Sequence, residues 1–300
     1  MKDSVVLVTG AGRGIGRGVA VELAAAGARV VVNDLGTDAA GGGNDDTPAS
    51  STVDEIVAAG GEAVLNGADV GDWAAARAAV DQAISTYGRL DAVVNCAGFL
   101  RDRIFHRMSE QEWDDVIRVH LKGSFNISRA AAERFREQGS GAFVHMTSTA
   151  GLIGNFGQAN YSAAKLGIVG LSRSIALDMA RFGVRSNAIA PFAWSRLIGT
   201  LPEETPEQRA RVAKFREMRA EMVAPLVHFL LSADAADVTG QVFVVRRNEI
   251  FLMSQPRPIR SIHHGDGWDV ESLRERLVPS FRTGFTPLER SGDVFSWDPI

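Results

Sequence analysis

The chain of 300 residues has a single cysteine, Cys96, so it holds no intrachain disulfide and too few thiolates for a cysteine-based structural zinc site. Tyrosine occurs only at Tyr87 and Tyr161, and lysine only at Lys2, Lys122, Lys165 and Lys214; the other basic residues are arginine. No apolar run approaches the roughly 18 residues that a membrane-spanning helix needs. The N-terminal run is broken by Gly10 too early to read as a secretion signal. A formal net charge of −4 lacks the basic excess of a nucleic-acid-binding surface. His263-His264 is an isolated pair without acids or cysteines at ligand spacing, so no metal site is expected. These absences predict a cytoplasmic protein with no membrane span and no nucleic-acid partner.

What is present is a rhythm of short, continuous apolar runs separated by Ala-rich helical stretches. Strands are expected at 4–9, 29–33, 63–66, 92–95, 142–146, 185–190 and 241–245, and helices at 14–26, 53–59, 73–87, 109–138, 160–182 and 221–231. Continuous apolar strands belong to a parallel sheet covered on both faces. The fold class predicted is therefore α/β, a Rossmann-type doubly wound parallel sheet of six or seven strands in three layers. Ser109 with Glu112 has the form of a capping box for the long 109–138 helix. Residues 36–51 read as a Gly/Asp/Thr/Ser-rich loop and 197–219 as a charged surface flap. Length alone suggests two domains. The βα rhythm instead predicts one domain over 1–245 with an extension at 246–300.

In that extension a hairpin is expected to turn at 246–248 into 249–253, followed by a short helix capped by Asp269 and ended by Pro279. Its apolar residues Phe251, Leu252, Trp268, Leu273, Leu277, Phe281 and Phe285 are expected to be buried, against the chain's own sheet edge, the substrate mouth or a second copy.

The glycines Gly10, Gly12, Gly14 and Gly16 follow the first strand and open a helix. Such a loop lets the backbone approach a diphosphate, and the helix start offers it free N–H groups. Arg13 and Ile15 lie within the same loop. Asp34, 18 residues beyond Gly16 at the end of the second strand, suits an adenosine ribose diol and repels a 2′-phosphate, which favours NAD over NADP. Arg13 is open to either a 2′-phosphate or the diphosphate. Asp69 and Val70, ending the third strand, are candidates to lie beside the adenine.

Tyr161 and Lys165 stand at i and i+4 on one helical face. A neighbouring ammonium favours the phenolate and brings a phenol towards general acid–base use. Ser148 ends the preceding strand, on the side where parallel sheets carry their sites, and is placed to hold the substrate oxygen.

With these motifs the chain resembles the short-chain dehydrogenase/reductase family over residues 1 to about 245. The family's T-G-x-x-x-G-x-G is Thr9 to Gly16, its N-N-A-G is Asn95-Cys96-Ala97-Gly98, and its Ser…Tyr-x-x-x-Lys is Ser148, Tyr161 and Lys165. The resemblance implies that Asn95, Ala97 and Gly98, with Pro191, line the cofactor and that Lys165 also binds the nicotinamide ribose. His120 stands where many members have asparagine. It is compatible with a proton relay through its backbone carbonyl, or with packing alone. Val31 to Gly36, Val119 to Phe125 and Gly154 to Tyr161 resemble the hydroxyacyl-CoA dehydrogenase part of peroxisomal multifunctional β-oxidation enzymes, which is similar also to 17β-hydroxysteroid dehydrogenases.

That resemblance implies NAD-dependent oxidation of a 3-hydroxyacyl-CoA with a bulky or steroid-like chain, by a homo-oligomer, dimer or tetramer. An NADPH-dependent carbonyl reductase and a catalytically silent dinucleotide-binding module are the alternatives. Phe99, Leu100, Ile153, Phe156, Phe192, Trp194 and Ile198 are candidates for an apolar pocket, and Arg101, Arg103 and Arg196 for CoA phosphates.

Overall fold

Alternate side chains of the apolar strands point to opposite faces, and both faces are packed. Val5, Leu7, Val31, Val93 and Phe143 share one side with Val80, Ile127 and Phe135. Val6, Val8, Val30, Val32 and Val94 share the other with Val19, Leu23 and Leu230. Strands buried on both faces need no polar alternation, which is why these runs are unbroken.

The computed structural model describes residues 1–38, 41–194 and 204–300. Its strands are β1 (Val5–Thr9), β2 (Arg29–Asn33), β3 (Glu62–Asn66), β4 (Ala92–Asn95), β5 (Gly141–Met146), β6 (Val184–Phe192), β7 (Val242–Arg246) and β8 (Glu249–Leu252). They form one sheet in the order β3-β2-β1-β4-β5-β6-β7-β8. All neighbours pair parallel except β8, which runs antiparallel to β7. The helices are α1 (Gly14–Ala25), α2 (Thr47–Ala58), α3 (Trp73–Tyr87), α4 (Glu110–Val116), α5 (Gly123–Gln138), α6 (Thr149–Leu152), α7 (Ala159–Met179), α8 (Pro206–Glu217), α9 (Ala224–Leu231), α10 (Val270–Phe281) and α11 (Ser291–Val294). α1, α2 and α9 cover one face of the sheet, and α3, α5 and α7 the other, giving the three-layer doubly wound fold. Among the described residues no helix is long and apolar enough to cross a membrane.

The structure departs from the sequence reading in several places. α2 begins at Thr47, inside the segment expected to be loop. Pro48 sits in its first turn, where a missing N–H is harmless, and Ala49 and Thr52 are buried. Residues 109–138 are not one α-helix: α4 and α5 are joined by a π-helical stretch, Ile117–Lys122. Ser109 does cap the start, with Glu112 completing the capping box.

The hairpin forms as expected, with Arg247 supplying a left-handed turn at φ 55°. Asp269 caps α10, but Pro279 lies within that helix rather than ending it. The tail's apolar residues are less buried than expected, Leu252 being 65% and Phe285 58% exposed. The buried apolar side chain of the tail is Phe295, packed 5.1 Å from the Phe192 ring and 5.3 Å from Phe251.

Phe135 is fully buried between α5 and the sheet, its ring 4.9 Å from Phe143. Phe135→Ala should cost about 3–5 kcal/mol of unfolding free energy in urea denaturation. A loss below about 1 kcal/mol would contradict this packing.

Candidate active site

β1 and β4 are adjacent although β2 and β3 lie between them in sequence, so the connections leave this pair in opposite directions and open a crevice at their carboxyl ends. Thr9 fastens the crevice floor: its Oγ1 accepts the backbone N–H groups of Cys96 at 3.1 Å and Ala97 at 3.2 Å. Gly10, at φ +64°, passes so near that a Cβ there would lie 2.8 Å from the Ala97 backbone. Gly16 is equally constrained, since its Cβ would strike the Gly10 carbonyl.

α1 then begins without a side-chain cap and without an acid in its first turn. Its unpaired N–H groups and dipole suit an anion. The cleft in front of it, about 650 Å³, is lined by Gly10, Arg13, Gly14, Ile15 and Gly16 at one end and reaches Ser148, Tyr161 and Lys165 at the other.

Both Asp34 oxygens accept backbone N–H bonds, Oδ2 from Gly12 at 2.8 Å and Oδ1 from Gly36 at 2.7 Å. A carboxylate has about four acceptor positions, so room remains for a diol. Arg13 turns towards the following loop, donating to the Thr37 carbonyl at 3.1 Å and lying 4.0 Å from Asp45. Asp69 accepts from Gly71 N at 2.8 Å and Arg118 at 2.7 Å, and Val70 is buried beside it. Both line the cleft, as do Ala97, Gly98 and Pro191.

The loop after β4 rests on His120. A Cβ on Gly98 would collide with the His120 ring, whose Nε2 lies 3.1 Å from Phe99 N and 2.7 Å from Phe99 O. Burial, with the Lys165 charge, pushes the His120 pKa down to about 3. Its carbonyl accepts the Ser124 hydroxyl at 2.6 Å. The imidazole thus packs beneath the loop after β4, 5.3 Å edge-on to the Tyr161 ring.

Ser148 caps α6, accepting Ala150 N at 3.1 Å, and its hydroxyl faces the Tyr161 phenol closely enough to lower its pKa. One turn on from Tyr161, buried Lys165 donates to the Met146 carbonyl at 2.7 Å and lies 5.5 Å from the tyrosine ring centroid. Burial pushes Tyr161 up to about 12, against the pull of the Ser148 hydroxyl, and the Asp102 charge adds to the rise. Burial lowers Lys165 to about 8. Cys96 is pushed up to about 12 by burial, which leaves its thiol unreactive. The arrangement is a phenol set between a hydroxyl and an ammonium, equipped to exchange a proton with an alcohol or carbonyl oxygen.

Sequence reasoning missed two residues. Asn160 is fully buried and ties α7 in place: its amide donates to the carbonyls of Arg101 at 3.1 Å and Glu112 at 2.8 Å, and its Oδ1 accepts Tyr161 N at 2.7 Å. His145, on β5 and fully buried, is 3.1 Å from the Asn95 amide, which also donates to Ser128. A histidine in an otherwise apolar strand was the available signal. Burial, then the Lys165 charge, lowers His145 to about 3.

On the substrate side, Phe99, Leu100 and Phe192 line the cleft. Phe156 is exposed beneath the Arg290 guanidinium, Ile153 packs with the Phe295 cluster, and Trp194 donates its backbone N–H to Met218 at 2.6 Å. Arg101 and Arg103 pair with Asp115 and Glu112, at 3.6 and 3.0 Å, rather than standing free for phosphates. Arg196 and Ile198 lie outside the described residues.

The short chain dehydrogenase family matches residues 4–195. Hydroxyacyl-CoA dehydrogenase ChsB1 of Mycobacterium tuberculosis is 38% identical over 293 residues, covering 94% of this chain and 89% of that protein. Peroxisomal multifunctional enzyme type 2 of Mus musculus is 45% identical over 259 residues, 86% of this chain; the match spans 34% of that longer protein. The crystal structure of a short chain dehydrogenase from Mycobacterium avium superposes with a TM-score of 0.82 at 43% identity, over 95% of this chain and 96% of the other.

His120 and His145 both drop from 6.5 to about 3 on folding, so between those values the unfolded chain binds more protons than the folded one. Stability should therefore fall as pH drops below 6.5 and continue to fall towards 3. Each histidine contributes about 1.4 kcal/mol per pH unit within that window. Urea denaturation across this window should show a shallower slope for His145→Gln. A slope unchanged by that substitution would contradict a neutral, buried His145.

Proposed function

The chain belongs to the short chain dehydrogenase family, and from that premise we propose that it oxidises the secondary alcohol of a 3-hydroxyacyl-CoA to the ketone with NAD. Membership makes it an oxidoreductase acting on CH–OH groups with a nicotinamide nucleotide. The observation that carries the reading is the group of half-buried Ser148 and Tyr161 with buried Lys165 at the end of a cleft that begins at an uncapped helix. The thioester class is supported by the Mycobacterium tuberculosis relative, matched over 94% of this chain and named for hydroxyacyl-CoA.

The residues present fit the cofactor. The first turn of α1 would hold the diphosphate, Asp34 the adenosine ribose diol, Asp69 and Val70 the adenine edge, and Lys165 the nicotinamide ribose. Asp34 disfavours a 2′-phosphate by charge, and Arg13, engaged with Thr37 and Asp45, is turned away from compensating it. Asn95, Ala97, Gly98 and Pro191 would complete the walls around the nicotinamide.

When bound, the nicotinamide supplies the hydride acceptor. Ser148 holds the substrate hydroxyl oxygen, and Tyr161 takes its proton as the carbinol carbon is oxidised. A phenol is protonated near neutral pH and burial raises its pKa further, so the nearby Lys165 ammonium has the task of favouring the phenolate. His120 acts by supporting Gly98 and Phe99 beneath the cofactor.

Residues 1–245 would carry cofactor and chemistry, and 246–300 the extension. Exposed Phe125, Leu166 and Leu177 on α5 and α7 support assembly as a homo-oligomer.

Purified protein should form NADH from a panel of 3-hydroxyacyl-CoA thioesters. Tyr161→Phe should lower kcat by about 10²–10⁴ while NAD binding, followed by calorimetry, persists. Near-normal turnover by that variant would sink the proton role of Tyr161, and tighter binding of NADPH than NADH would overturn the reading of Asp34.

A further inference from the structure

The extension leaves the sheet after β8 and reaches the cleft at Ser291 and Gly292. The Ser291 backbone N–H and hydroxyl both donate to the Gly154 carbonyl, at 2.9 and 3.1 Å, and Ser291 is 4% exposed. Four residues on, buried Phe295 docks against Phe192 and Phe251. Beyond it, the Trp297 indole donates to Glu249 at 2.8 Å, and its carbonyl accepts from buried Arg246. Asp298 pairs with Lys214 of α8 at 2.6 Å. On the other flank, Arg290 pairs with Asp293 and lies 5.5 Å from the Phe156 ring centroid. The strap 290–298 is therefore anchored on both sides of Gly292.

Ser291 and Gly292 line the same cleft as Ser148, Tyr161 and Lys165. Gly292 is in a helical turn, is not among the positive-φ glycines, and a Cβ built on it would meet no atom within 4 Å. Glycine weakens a helix relative to alanine, and neither backbone conformation nor packing calls for it at this position. Gly292 is an exposed residue of the cleft wall, and the place of its missing side chain is open space.

We propose that Gly292 is a specificity-determining position, setting the upper size of the acyl chain that the cleft admits. This rests on the hydroxyacyl-CoA reading above. The strap holds the position rigidly, so a side chain introduced there occupies volume otherwise available to substrate. Selectivity is thereby set from the extension, while the chemistry is set from β5 and α7.

The test compares the full-length wild type with Gly292→Ala and Gly292→Leu on two thioesters: 3-hydroxybutanoyl-CoA and a 3-hydroxyacyl-CoA bearing a branched, ring-containing chain. The ratio of kcat/KM for the short over the bulky substrate should rise about tenfold in Gly292→Leu and by less in Gly292→Ala, mainly through KM for the bulky one. Melting temperature and NAD affinity serve as checks on the fold and the cofactor side. An unchanged ratio, including equal losses on both substrates, overturns the assignment. Wild-type protein that turns over neither thioester overturns the hydroxyacyl-CoA reading, and the assignment with it.

Discussion

Backbone from two strands meets at Gly10 and Ala97 more closely than any side chain would allow, and the Thr9 hydroxyl holds that approach with two N–H bonds. The contact joins β1 to β4, where the winding of the chain reverses. From it follow the direction in which α1 leaves, with its free N–H groups facing the crevice, and the course of the loop over His120. A Cβ at Gly10 would part these strands at the point where the site's two halves join. The remaining features can then be understood as consequences of holding this corner rigid.

The second half of the site is ruled by a buried positive charge. No carboxylate is paired with Lys165 among the described residues; its ammonium is held by the Met146 carbonyl. That charge adds to burial in keeping His120 and His145 neutral, so the lysine is the cation of the group. Neutral imidazoles can hydrogen-bond backbone or amide groups there without adding a second cation. Burial raises the Tyr161 pKa, and Asp102 adds to the rise.

Local features were legible in the sequence where they are set locally. Tyr161 and Lys165 stand out because helical spacing puts them on one face and because both residue types are scarce. The glycine loop stands out because a strand, a turn and a helix follow one another within a few residues. Asp269 and Ser109 announce their helices through capping residues three positions apart. Contacts between distant segments left no such trace. Asn160 matters through carbonyls of residues 101 and 112, and Phe295 through Phe192 and Phe251. α2 starts early because Ala49 and Thr52 meet the glycine loop, a contact that its polar, proline-bearing composition does not advertise.

The π-helical stretch between α4 and α5 carries a consequence for how this region can change over time. Such a turn holds one residue more than an α-helical path would use. Removing one residue from Ile117–Lys122 would let the helix close regularly with Ile127, Ala131 and Phe135 still facing the sheet, because the wider turn takes up its additional residue with almost no advance in helix phase. What would be lost is the widened backbone that seats His120 under Gly98. Length there sets the local shape of the wall and leaves the facing of the helix that follows untouched.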